Sequence, residues 1–207
     1  FKKFKLPFTV GYGMTEAAPL LAYEDWWEFA SKSCGKPVDS VEVRIDSSDP
    51  IKQVGEIQAK GVSLMSGYYK NDEATKAAFT EDGWMRTGDL GVMDASGNIF
   101  IRGRSKNMIL SANGQNIYPE EIEAVVNNQP YVIESVVIDR GASLVALVYV
   151  DSDKLAGDAV NVEEQMNVLK NEVNKSMPSY SKISKVEVMD APFDKTPKMS
   201  INRFMYK

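Results

Sequence analysis

Histidine is absent from the 207 residues. Its absence excludes Ser-His-Asp and Cys-His catalysis and every His-ligated metal site. Chemistry is left to carboxylates, Lys, Arg, Thr, backbone dipoles or a hard, oxygen-ligated cation. Cysteine occurs once, at Cys34, so no intramolecular disulfide is available. A reducing compartment is the natural setting, and the cytoplasm is the expected localisation. No apolar run approaches the length of a membrane span. An excess of positive charge is lacking too: 24 basic residues face 29 acidic ones, well mixed, for a net charge of −5. That argues against a nucleic-acid binder, which would show a basic face. The opening, FKKFKLPFTVGYG, has neither an initiator methionine nor the signal-peptide order of charge, apolar core and small residues. It reads as a chain entered midway, a piece of something longer.

What is present is organised around residues 83–123. Thr87-Gly88-Asp89 sets a carboxylate on a tight turn, and Gly103-Arg104-Ser105-Lys106 begins a new composition and a new periodicity. Before this stretch, Gly11 and Gly13 flank Tyr12, a pattern of close backbone approach. Trp26, Trp27 and Phe29 are expected in a helical segment, as core or interface. From Gly35 to Ile101 the chain reads as strands: Val41, Val43 and Ile45 alternate with polar residues, 55–59 do so more weakly, and 99–101 closes the set. Asp94-Ala95-Ser96-Gly97-Asn98 is a turn. One helix is expected near 72–79.

After Arg104, Met108-Ile109-Leu110 and Gln115-Asn116-Ile117 flank Ala112-Asn113-Gly114, a hairpin signal. Pro119 opens a helix where its missing N–H costs nothing, followed by Glu120 and Glu121 at the positive end of the helix dipole. Strands are expected at 132–138, 144–150 and 185–189, and a helix from Asn161, a capping-box-like start, to Pro178. Ser200 is expected to cap a terminal helix with Ile201, Phe204 and Met205 inward. The fold class is therefore α+β. A mainly β part at 1–103 precedes an α+β domain of ordinary size at 104–207.

Four segments together resemble the adenylate-forming superfamily of acyl- and aryl-CoA synthetases, luciferases and peptide-synthetase adenylation domains. They are Tyr12-Gly13-Met14-Thr15-Glu16, Trp84-Met85-Arg86-Thr87-Gly88-Asp89, Gly103-Arg104-Ser105-Lys106, and the run from Gly114 to Glu123. Gly67-Tyr68-Tyr69-Lys70-Asn71-Asp72 links them. Each motif alone is weak, but the ordered set covers nearly the whole chain and is specific. The resemblance implies the end of a large AMP-binding domain, distorted-barrel-like, and then a mobile C-terminal domain. Residues 106–109 with 116–123 look most like the long-chain fatty-acyl branch, with aryl-CoA ligases and carrier-loading adenylation domains as alternatives.

The site residues follow from that resemblance. Tyr12 and Gly13 would flank the adenine, Thr15 would bond the α-phosphate, and Glu16 would help hold Mg²⁺. Asp89 would accept the ribose hydroxyls, and Arg104 would reach the same ribose. Lys106 would be a hinge and Gly114 would line the coenzyme A tunnel. Thr15, Glu16 and Lys198 are the catalytic candidates. On the residues alone, a core tyrosine, a solvated turn, a turn-stabilising Asp and a surface ion pair remain open readings. The implied partners are ATP, Mg²⁺, coenzyme A and a small-molecule carboxylic acid, with no nucleic acid. Peripheral membrane association of a longer parent is compatible with this, and no oligomeric state is indicated.

Two departures stand out. The family's C-terminal lysine precedes an isoleucine in a Gly-Lys-Ile-like context, and here Ser200 precedes Ile201. Serine carries no cation, so either Lys198, two residues away and a better candidate than Lys195, substitutes for it, or adenylation uses another donor. Asn116 stands where some acyl-CoA synthetases carry a phosphate-binding arginine. A Ser/Thr/Gly-rich phosphate loop ending in lysine, which in the family lies upstream of the Tyr12 segment, is not found in 1–10. The isolated chain is therefore expected to be inactive.

Overall fold

The computed structural model describes residues 4, 6–111, 113–141 and 143–206. Contacts divide the chain into two units, Phe1–Lys106 and Asn107–Lys207. Most of 1–5 and Ala112 of the hairpin signal lie outside the described residues.

In the first unit, β1 (Tyr12–Gly13), β2 (Leu20–Tyr23) and β3 (Lys36–Pro37) form a small antiparallel sheet. A second sheet is a four-stranded antiparallel meander of β4 (Val41–Asp46), β5 (Gly55–Gly61), β6 (Met85–Met93) and β7 (Ile99–Arg104) in chain order. Of the alternation read from the sequence, Val41, Ile45, Ile57, Ala59 and Ile99 turn inward and Val43 is partly buried, in one core that also takes Met85, Tyr12 and Leu21. Helix α1 (Asp72–Ala78) starts at Asn71, whose side chain accepts the Ala74 N–H at 3.0 Å. Residues 26–28 are turn rather than helix, and Phe29 follows in irregular chain. Phe29 alone reaches the core, edge-on to Phe8, whereas Trp27 is 61% exposed and stacks edge-on with Trp26. The indoles are too bulky and too closely spaced in sequence for both to turn inward from one short loop.

Gln58 is fully buried in the middle of β5, and its amide is satisfied. It accepts from Arg44 Nε at 2.8 Å and donates to Asp46 at 3.2 Å. The same guanidinium lies 4.5 Å over the Trp84 ring and holds both oxygens of Asp82. Arg44 and then Thr80 lower the Asp82 carboxyl to a pKa of about 2. A depressed carboxylate contributes stability above its unfolded value and loses it as pH falls through the folded one. The stability difference between the native chain and Asp82→Asn is therefore expected to vanish between pH 4 and about 2. Paired thermal melts across that range check it; a constant difference would show that Asp82 is not held by charge.

In the second unit, β8 (Ile109–Leu110) and β9 (Asn116–Ile117) form a hairpin. Helix α2 (Pro119–Val126), β10 (Val132–Asp139) and β11 (Leu144–Val150) follow. Two helices, α3 (Ser152–Gly157) and α4 (Val162–Ser176), then cross over to β12 (Ile183–Val188). β12 lies parallel to β11, so the sheet order is β10-β11-β12. One face is covered by α2 and α4 through Ile122, Val126, Leu169 and Val173. On the other, Phe193 fills the centre against Val136, Ile138, Val145 and Leu147. Asn161 caps α4 through the Glu164 N–H at 3.1 Å.

The C-terminal end departs from the sequence reading. Ile201 is drawn into an antiparallel bridge with Lys195, an extended conformation, so Ser200 caps no helix. What remains helical is a single 3-10 turn, Arg203–Tyr206. Ile201 and Tyr206 pack on the Phe193 side of the sheet, while Phe204 and Met205 are 72% and 64% exposed rather than inward. Arg203 anchors the turn by pairing with Glu123 of α2.

Candidate functional site

Asp89 does not sit on a turn between strands; it lies in a bulge of continuous β6. Glu56 pairs with Leu90 and Gln58 with Arg86, so two steps along β5 match four along β6. Thr87, Gly88 and Asp89 stand opposite Ile57 alone, a surplus of two residues, and Gly88 takes φ +72, a left-handed conformation that glycine adopts without strain. The bulge is held at each residue. Thr87 Oγ1 donates to the Ile57 carbonyl at 2.7 Å and accepts the Asp89 N–H at 3.1 Å. Glu56 accepts the Gly88 N–H at 3.3 Å and Arg86 at 2.7 Å.

The Asp89 carboxylate, 6% exposed, is thereby aimed between two partners. Asp89 and Arg104 face each other across β6 and β7, and Arg104 Nε meets Oδ1 at 2.7 Å. The Tyr12 hydroxyl, delivered by β1, donates to Oδ2 at 2.8 Å. Burial, and after it the charge of Asp89, pushes the Tyr12 hydroxyl far above its ordinary value, so it remains a donor. The sequence reading brought Asp89 and Arg104 together as one grip. It did not anticipate the Tyr12 hydroxyl as the third member. Nor did it anticipate Glu56, which holds the bulge from the neighbouring strand.

The glycine beside Tyr12 has a local cause. A Cβ at Gly13 would lie 1.9 Å from the Pro19 carbonyl oxygen, so the close approach is to β2 of the same hairpin. Thr15 is exposed, at the start of the 3-10 turn Thr15–Ala17. Glu16 accepts from the Tyr68 hydroxyl at 3.0 Å, and its carbonyl accepts the Met65 N–H at 2.8 Å. Among the described residues, no group of three His, Cys, Asp or Glu is arranged to hold a metal. A single half-exposed carboxylate suits Mg²⁺, which keeps waters and takes its other oxygens from substrate phosphates.

In the second unit and at its start, each residue has its own setting. Lys106 is exposed in the 3-10 turn Ser105–Asn107, and the division between the units follows it directly. Gly114 has φ +74 and nothing within 4 Å of where a Cβ would be. Lys198 is exposed at the tip of a turn in which the Met199 N–H reaches the Thr196 carbonyl at 2.8 Å. The Thr196 N–H reaches the Ser200 carbonyl at 2.8 Å, and Met199 at φ +60 takes the left-handed corner. Lys195 is engaged with Glu134.

The buried Tyr12–Asp89–Arg104 cluster lies on a β platform, and an α+β unit follows it in the chain, an order that matches adenylate-forming enzymes. Family comparison agrees: residues 1–69 match the AMP-binding enzyme model and 106–206 the AMP-binding enzyme C-terminal domain model, and the chain belongs to that family. It is 34% identical over 206 residues to 4-coumarate–CoA ligase 1 of Petroselinum crispum, covering 93% of this chain and 36% of the ligase. It is 42% identical over 129 residues to a long-chain-fatty-acid–CoA ligase of Escherichia coli, covering 60% of this chain and 23% of that one. Among solved structures, O-succinylbenzoate coenzyme A synthetase (MenE) of Bacillus subtilis, in complex with ATP and magnesium, superposes with a TM-score of 0.83. The identity is 27%, over 98% of this chain and 42% of that one. The chain thus spans well under half the length of the relatives it matches. No helix among the described residues is long and apolar enough to cross a membrane.

Proposed function

We propose that this chain is the adenosine-gripping edge and the mobile C-terminal domain of an ATP-dependent acyl-CoA synthetase. The observation that carries the proposal is the Asp89 carboxylate, buried and oriented by Tyr12 and Arg104 on paired strands. In this reading Asp89 and Arg104 hold the ribose, with Tyr12 and Gly13 on the adenosine side. The Thr15 hydroxyl bonds the α-phosphate, and Glu16 supplies the protein carboxylate to Mg²⁺. A carboxylate oxygen of the acid attacks the α-phosphorus, the acid–phosphorus bond forms, and pyrophosphate leaves. In the second step the coenzyme A sulfur attacks the acyl carbon and AMP leaves. Lys106 is the pivot between the two steps, and the left-handed loop at Gly114 borders the pantetheine arm.

A fatty acid is the proposed substrate, on the resemblance of 106–109 and 116–123 to the long-chain branch. The 4-coumarate relative, which aligns over 93% of this chain, favours an aryl acid as the second reading. The reducing interior of the cell is the proposed site of action. A panel of fatty and aryl acids, assayed for ATP- and coenzyme A-dependent thioester formation by the longer protein, separates the two. No turnover with any acid would overturn the synthetase reading. The 207-residue chain by itself is expected to give no acid-dependent pyrophosphate exchange, because no phosphate loop is present in its sequence.

Lys198 is the proposed cation for the transferring phosphoryl group, replacing the family lysine at the Ser200 position. Its place at an exposed turn tip leaves the long side chain able to reach a phosphate, whereas Lys195 is held by Glu134. Removal of one such charge from the transition state costs about 100-fold in rate or more. Lys198→Ala is expected to cut adenylation by about that factor and Ser200→Ala by less than about threefold. Pyrophosphate exchange by the two variants of the longer enzyme tests the assignment, and equal rates would sink it.

A further inference from the structure

The Tyr12 hydroxyl belongs to a residue whose ring is almost wholly enclosed. Tyr12 is 6% exposed and packs in the first core. A phenylalanine would fill the same space with the same apolar contacts. The hydroxyl is what distinguishes the residue, and its bond is to Asp89, 77 residues away, at 2.8 Å.

An aspartate carboxylate rotates freely about its last bond unless both oxygens are directed, because that torsion is broad and roughly two-fold. Arg104 directs Oδ1 from one side, but its side chain is 54% exposed, and a guanidinium at the rim is a mobile partner. Tyr12 directs Oδ2 from within the core, on a strand held by the close Gly13–Pro19 approach. The plane of the carboxylate is thus set from the buried side.

Resting on the ribose role proposed for Asp89, we infer that Tyr12 is a positioning residue. Its hydroxyl locks the Asp89 carboxylate plane and so sets how strongly the site prefers a ribose over a deoxyribose. The contribution is to specificity: a carboxylate free to turn still offers negative charge, but no longer presents two oxygens in the fixed geometry that a pair of vicinal hydroxyls requires.

The test measures AMP, 2′-deoxy-AMP and 3′-deoxy-AMP binding by calorimetry on the full-length enzyme. The readout is the ratio of each deoxynucleotide Kd to that of AMP. In the native enzyme the ratio is expected to be about 10 or more, the usual worth of a lost charge-assisted hydrogen bond. Tyr12→Phe is expected to lower it to about 3 or less, with the Kd of 2′-deoxy-AMP nearly unchanged. A merely structural role would weaken all three nucleotides equally and leave the ratio intact, and that outcome overturns the inference. Asp89→Asn separates the two levels of the argument. If Asp89→Asn retains full discrimination, the ribose role of Asp89 itself falls. If Asp89→Asn loses it while Tyr12→Phe keeps it, the positioning role alone falls. Should Tyr12→Phe fail to fold with one donor fewer on its buried carboxylate, the double variant Tyr12→Phe/Asp89→Asn is compared with Asp89→Asn alone. The two are expected to show the same ratio, and a further fall in the double variant would overturn the inference.

Discussion

Asp89→Ala in the longer enzyme is expected to raise the KM for ATP about 100-fold while kcat changes by less than about threefold. Two hydrogen bonds from the ribose to an ionised acceptor are lost, each worth about 1.5–3 kcal/mol, and 1.4 kcal/mol is a factor of ten. The ribose is remote from the phosphorus under attack, so its contacts are the same in the ground and transition states. Interactions of that kind appear in KM alone. Steady-state kinetics with ATP varied and acid and coenzyme A saturating give both constants. A KM within about threefold of the native value would refute the ribose role. Alanine also removes the partner of the Tyr12 hydroxyl and of Arg104, so a melting curve belongs beside the kinetics. Asp89→Asn, which keeps the volume and one acceptor oxygen, is expected to lie between alanine and the native enzyme.

Arg203→Ala is expected to destabilise the second unit by about 3 kcal/mol or more at neutral pH. Glu123, 7% exposed, accepts the Val137 N–H from β10 and the Arg203 guanidinium from the terminal turn. Burial raises its carboxyl above the ordinary glutamate value, against the opposing pull of Arg203 and the Val137 amide. Without Arg203 a buried carboxylate is left with its desolvation cost and half its compensation. A group whose folded pKa is raised weighs least against folding below its unfolded value, near 4.5, and most once pH has risen through the folded value. The loss in Arg203→Ala should therefore grow as pH rises above the unfolded value near 4.5 and shrink where Glu123 takes a proton. Hydrogen exchange at the Val137 amide reports this unit specifically. A pH-independent loss would show that packing of the turn, and not charge, is what Arg203 supplies. For a domain of this size, about 3 kcal/mol corresponds to a fall of roughly 12–20 °C in Tm.

The elements that were legible in the sequence are those whose own residues carry the period. Val132–Asp139 and Leu144–Val150 are near-continuous apolar strands, and Asn161 marks its helix as a cap. Helix α3 went unread because six residues are under two turns, with only Leu155 buried, and Asp151 as a cap has the same local signature as a turn. The Asp89–Arg104 pairing was legible only through the family resemblance, which sends both residues to one ribose. The third partner was not: no local pattern links Tyr12 to a carboxylate 77 residues on. Glu56 was equally hidden, since its role depends on a two-residue register surplus in the strand opposite. The terminal turn was misread because Ile201, Phe204 and Met205 fit a helical spacing, which carries no record that Ile201 is claimed by a bridge to Lys195.

The triad of Tyr12, Asp89 and Arg104 draws one residue each from the first sheet, the bulged third strand of the meander and its last strand. On the proposed assignment, a nucleotide there would touch residues near both ends of the first unit, so its binding would require that unit to be folded. Under the proposed assignment, affinity then becomes a gauge of folding, and saturating nucleotide at about 100 times Kd adds about 2.7 kcal/mol to the first unit's stability. A substitution that loosens the meander enough to depopulate the folded unit would lower the apparent affinity by the folded fraction lost, however far from the carboxylate it lies.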